Sequence, residues 1–143
     1  MHAVDPIRIR DLLGHIADAQ RYLRQLGQMS EQAFLADFRN TESAKYLFIV
    51  ATEAAIDLCN HIVSHQGSRS PKDYADCFVV LADITVITPE LSTRLQRMAR
   101  VRNLLVHVYA QVDNQRVYQL LQTDLGNLDT FRMQISTWPG QTG

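Results

Sequence analysis

Within the segment Arg100 to Tyr109, RVRNLLVHVY, four side chains are of types that can handle a phosphodiester: Arg102, Asn103, His107 and Tyr109. Arg102 offers a planar fork of donors that grips a phosphate through two hydrogen bonds. His107 can move a proton near neutral pH, because an unperturbed imidazole titrates at ~6.5. Asn103 carries both donor and acceptor and can orient the imidazole or the phosphate. On a helix each residue turns the side chain by ~100°, so Arg102 and Tyr109, seven apart, return to nearly one face. Asn103 and His107, four apart, stack on a neighbouring strip. Arg102 and His107 lie about 140° apart around the axis, so one ideal helix does not press them together. The reach of arginine, a distorted turn, or a second copy of the helix across a two-fold axis can close that gap.

Cleavage of RNA through its own 2′-OH needs a base for the hydroxyl, an acid for the leaving oxygen, and donors near the developing phosphorane. One His107 per chain supplies one proton-transfer group, and a symmetric dimer places two His107 and two Arg102 side chains around one cleft. That scheme calls for no metal and no cofactor. The same residues also have ordinary uses: a surface ion pair for the arginine, a satisfied ring nitrogen for the histidine, a core cap for the tyrosine. His61 and His65, four apart with Asp57 one turn earlier, are of ligand type, but no HExxH or cysteine pattern accompanies them, and a polar helix face is the reading preferred. Asp57 and Asn60 are second-rank candidates for the cleft. No Gly-rich phosphate loop and no nucleophile elbow occur.

The elements that must position these residues read as helices. Ile9, Leu12, Leu13, Ile16, Ala19, Leu23 and Leu26 recur at helical spacing from Ile7 to Leu26, opened by Pro6 and closed by Gly27. Ser30 caps a short helix to about Asp37. A longer helix follows Asn40 and Thr41, with Tyr46, Leu47, Val50, Ala51, Ala54, Leu58, Ile62 and Val63 on one broad face, until Gly67 and Ser68 interrupt it. Ser70-Pro71-Lys72-Asp73 and Thr88-Pro89-Glu90 are helix starts, and the second opens the helix that carries Arg102. Asp113 or Asn114 starts a last helix running to about Ile135, weakened at Gly126, with a flexible tail from about Trp138. The expected architecture is all-α: one domain over residues 1–143, an antiparallel up-and-down bundle of four to five main helices.

Composition agrees. The chain has 143 residues, 46% apolar and 20% charged, which suffices for a core without disulfides. Cys59 and Cys77 sit in apolar helical patterns and read as core thiols, as suits a cytoplasmic protein. No run of 18 apolar residues occurs, so no membrane span is expected. The formal net charge of −1 says nothing for nucleic acid, but Leu91 to Val112 holds Arg94, Arg97, Arg100 and Arg102 without an acid. This basic strip is a candidate contact for RNA or a protein partner.

The segment Arg102-Asn103-Leu104-Leu105-Val106-His107-Val108-Tyr109 resembles the arginine, four residues, histidine, x, tyrosine signature of HepT-like toxins in the HEPN superfamily of helical domains. The stretches LFIVATEAAIDLCNHI and VDNQRVYQLLQTDL extend the resemblance from the Ile7 helix to about Ile135. It implies a homodimeric helical toxin of a type VII toxin–antitoxin system, acting as a metal-independent ribonuclease through Arg102 and His107 with Asn103 as polar neighbour. It further implies that Tyr109 is the tyrosine to which an MntA-like nucleotidyltransferase antitoxin adds AMP. The bulk and negative charge so added would repel RNA phosphates. A helical binding partner of the nucleotidyltransferase, without turnover of its own, is the alternative.

Overall fold

The computed structural model describes residues 3–66 and 69–142. Among them there is no strand, and seven α-helices follow one another: α1 (Pro6–Gly27), α2 (Glu31–Ala36), α3 (Phe38–His65), α4 (Tyr74–Asp83), α5 (Pro89–His107), α6 (Asn114–Thr123) and α7 (Leu125–Thr137). Short 3-10 turns cover Tyr109–Gln111 and Pro139–Thr142. The all-α expectation holds, but the number of helices exceeds the four to five expected, because α2 and α4 are short and the last helix is divided.

Local chemistry accounts for most starts. The Asp5 carboxylate accepts from Ile7 N–H ahead of Pro6 at the first turn of α1. Ser30 Oγ accepts from Ala33 N–H, Thr88 Oγ1 from Leu91 N–H, and the Asp113 carboxylate from Gln115 N–H. Two starts differ from the sequence reading. Asp37, rather than Asn40 or Thr41, caps α3 through Arg39 N–H. Asp73, rather than Ser70, caps α4 through Asp76 N–H at 2.7 Å. The expected interruption at Gly67 and Ser68 lies outside the described residues.

The expected last helix breaks at Asp124. Thr123 donates its hydroxyl to Gln119 O and to Asp124 Oδ1, and Gln20 on α1 donates to Leu125 O at 2.8 Å. These bonds tie down the junction and turn Leu125, Leu128, Phe131 and Ile135 of α7 into the core beside Val117, Leu120 and Leu121 of α6. Gly126 falls in the first turn of α7, beyond the break.

The core forms one cluster through all the helices, with Phe34, Phe48, Phe78 and Phe131 fully buried. Helix α3 runs through its middle, packing on α1, α4, α5 and α6. By length and mean hydropathy (1.4 over 18 residues) α3 is apolar enough to cross a membrane, a property the count of unbroken apolar residues passed over. More than half of that window is buried among the other helices, the ordinary situation of a core helix. Ala51, Ala54, Leu58, Ile62 and Val63 of α3 are buried as expected, but Tyr46 is 65% exposed, whereas Phe48 and Lys45 are buried. Cys59 and Cys77 are free and buried where α3 meets α4, with Cys77 Sγ also donating to Asn60 Oδ1.

Candidate functional site

Helix α5 carries its chemistry in its last two turns. Arg102 stands three, four, seven and eleven residues from Leu105, Met98, Leu95 and Leu91, all buried, so its Cβ points inward with theirs. A guanidinium placed there cannot stay unpaired. Its Nη2 donates to Glu53 Oε2 on α3 at 3.1 Å, and its Nη1 donates to Asn103 Oδ1 at 3.1 Å. The guanidinium carbon lies 5.1 Å from the centre of the Tyr74 ring on α4. The Arg102 side chain is 14% exposed, and its Nε has no hydrogen-bond partner. Three helices thus fix the plane of the guanidinium.

His107 is the last residue of α5 and is exposed. Among the described residues no hydrogen bond reaches its ring. The ~140° separation from Arg102 remains, since the helix is regular up to His107. Within one chain, therefore, the two are not in contact. Between them, four residues after Arg102, Val106 is 42% exposed. The C-terminal face of α5 presents an arginine, an uncovered valine, an asparagine and a histidine in two adjoining rows.

Beyond His107 the helix ends at Val108 (φ −130°, ψ 39°), and the 3-10 turn brings Tyr109 back over α3. The Tyr109 hydroxyl donates to Glu42 Oε2. Lys45 Nζ lies 4.6 Å from the Tyr109 ring centre and 3.8 Å from Glu42 Oε1. Burial, then the Glu42 carboxylate, push the Tyr109 hydroxyl up to about 12. Positions 38, 42, 46, 49 and 53 of α3 follow at helical intervals, so the acid facing Tyr109 and the acid facing Arg102 share one face with the exposed Phe38 and Tyr46.

The other candidates fall elsewhere. Arg94 and Arg97 line a cleft with Thr123, Asp124 and Asn127 at the α6–α7 junction, and Arg100 is exposed. Among the described residues none of these three forms a hydrogen bond or ion pair with Arg102, Glu53, Asn103 or Tyr74. Asp57 and Asn60 line a polar cavity with Arg8, His61, Ser64 and Arg69. The α3 residue beside Arg102 is instead Glu53, one turn earlier. His61 Nε2 accepts from Asp5 N–H at 3.0 Å, and His65 Nδ1 lies 2.8 Å from His61 O. These histidine nitrogens are spent on backbone.

Glu42, Lys45, Glu53 and Tyr74 were missed from sequence. Glu53 had a signal: it is an acid inside the run FIVATEAAI, and an acid on the wall of a core helix needs a cation opposite. Tyr74 and the Glu42–Lys45 pair had none, because their roles depend on which helices meet.

The described residues thus form a helical bundle with a part-buried arginine near the end of one helix, an exposed histidine at that end and a tyrosine in the next turn. The chain belongs to the ribonuclease HepT-like family, whose profile matches residues 12–135. It is 26% identical over 138 residues to a tRNA nuclease HepT of Aphanizomenon flos-aquae, covering 96% of this chain and 94% of that one. It is 30% identical over 122 residues to an mRNA nuclease HepT of Shewanella oneidensis, covering 84% and 92%. In structure it resembles a tri-AMPylated HEPN toxin of Shewanella oneidensis in complex with an MNT antitoxin, with TM-score 0.83 and 29% identity over 90% of this chain and 96% of that one.

Proposed function

We propose that this chain is the ribonuclease toxin of a toxin–antitoxin pair, cutting RNA in the cytoplasm with Arg102 and His107 and silenced when a nucleotidyltransferase antitoxin joins AMP to Tyr109. The observation that carries this reading is the pre-set Arg102, clamped by Glu53, Asn103 and Tyr74, less than two turns from an exposed His107, which Tyr109 follows two residues on. The family membership and the AMP-bearing relative support it.

The working site is built from two copies of an HEPN-like up-and-down bundle. The exposed Val106 near the end of α5 supplies apolar surface for a second chain. Covering it brings the two α5 ends together and gives each histidine a counterpart. One imidazole takes the 2′-OH proton, the other protonates the leaving 5′-oxygen, and the guanidinium groups offset the charge gathering on phosphorus. Because the attacking group is the 2′-OH, DNA is not cut. AMP on Tyr109 sets a phosphate two residues from His107 and repels the RNA backbone.

The test is purified, unmodified protein incubated with RNA in EDTA beside an H107A control. Cleavage by the first and its loss by about 100-fold or more in the second are expected. Equal cleavage by both would remove His107 from the chemistry.

A further inference from the structure

We propose that Glu42 is the catalytic base for AMP addition to Tyr109, supplied by the toxin itself, with Lys45 as the residue that positions the pair. This rests on the reading of Tyr109 as the modified residue.

The geometry is specific to that hydroxyl. Tyr109 donates to Glu42 Oε2, while Glu42 Oε1 lies 3.8 Å from Lys45 Nζ. Lys45 is buried at 3% exposure and stands over the Tyr109 ring, 4.6 Å from its centre. Both charged groups come from one turn of α3. The Glu42 side chain is 46% exposed, so an incoming nucleotide has access to the bond it makes.

A phenol held neutral by burial and by a carboxylate is a poor nucleophile until its proton leaves. The group already holding that proton is Glu42. In the step inferred, the Tyr109 oxygen attacks the α-phosphorus of ATP, and the new O–P bond forms as the bond from that phosphorus to the bridging oxygen breaks. Pyrophosphate leaves with the electron pair, and the hydroxyl proton passes to Glu42 Oε2. Lys45, over the ring face, keeps the tyrosine in reach and offsets the carboxylate charge that would otherwise repel a triphosphate.

Glu42→Gln keeps the size of the side chain and an oxygen that accepts from the hydroxyl, but it cannot take the proton. AMP incorporation is followed by intact mass with ATP, magnesium and a purified MNT-type nucleotidyltransferase, from about pH 6.5 to about pH 9.5. Wild-type protein is expected to react at a rate nearly level with pH. E42Q is expected to be about 100-fold slower near neutrality and to gain about tenfold per pH unit as solvent base takes over. Glu42→Asp, which retains a carboxylate, is expected to be slower than wild type yet level with pH. An E42Q rate and profile equal to wild type, or an E42D profile that climbs steeply, overturns the role of Glu42. No AMP on wild-type protein, or AMP that persists in Tyr109→Phe, overturns the modification reading beneath it.

Discussion

At the scale of residues, Arg102 and Tyr109 are each held by an acid on α3, and the physical consequences differ. Arg102 uses directional donors: one to Glu53, one to Asn103, with its plane against Tyr74. Lysine keeps the charge but not the fork. R102K is therefore expected to lower RNA cleavage by about tenfold or more while leaving the far-ultraviolet circular dichroism spectrum unchanged. Wild-type cleavage in R102K would mean that bare charge suffices. Tyr109 has a titration consequence. Its folded value of about 12 lies above the ordinary tyrosine value of 10.0. Its contribution to stability is thus complete below pH ~10 and is lost as pH rises towards ~12. Absorbance titration at about 295 nm of wild type against Tyr109→Phe should show one tyrosine missing from the late part of the curve; a missing early tyrosine would contradict the burial and the Glu42 bond.

At the scale of elements, the end of α4 departs from ideal chemistry in a way that can be measured. Val86 N–H bonds Leu81 O at 3.1 Å, and Thr85 N–H bonds Ala82 O at 2.9 Å, the double bond pattern of a Schellman cap. The residue at its left-handed position is Thr85, with φ 62°. A β-branched side chain at positive φ costs roughly 1–2 kcal/mol, and glycine there does not bear it. T85G is expected to gain about 1 kcal/mol, raising Tm by about 3 °C in a scanning calorimeter. A lower Tm would show that the Thr85 hydroxyl bond to Ile84 O contributes more than the strain removes. The cap matters for function because the loop after it leads directly into α5 and so sets where Arg102 begins its approach to α3.

At the scale of the whole molecule, the uncovered surface points to association. Val106 lies in the row of Arg102, beside the row of His107, at 42% exposure. If two chains meet there, a charge at position 106 is desolvated without a partner. V106E is expected to sediment as a monomer at micromolar concentrations at which wild type is a dimer, and to lose RNA cleavage. A dimer of unchanged affinity in V106E would place the interface elsewhere and would leave each His107 without its counterpart.

What the sequence by itself determined is whatever depends on neighbours along the chain. Helical spacing, Pro6, Ser30, Thr88 and Asp113 marked most of the helices, and Arg102, Asn103, His107 and Tyr109 stood out because they fall at short intervals along the chain, although α5 ends at His107 and Tyr109 does not share the helical face of Arg102 as its spacing suggested. The packing of helices decided the rest. It broke the last helix at Asp124, where α1 claims a carbonyl, and it turned Tyr46 outward and Lys45 inward. It brought Glu53 to Arg102 across 49 residues and Glu42 to Tyr109 across 67, two pairings that no local spacing encodes. A side chain's place on its own helix follows from a ~100° step, but the group it meets is chosen by how helices dock, which depends on the shape and burial of the entire core.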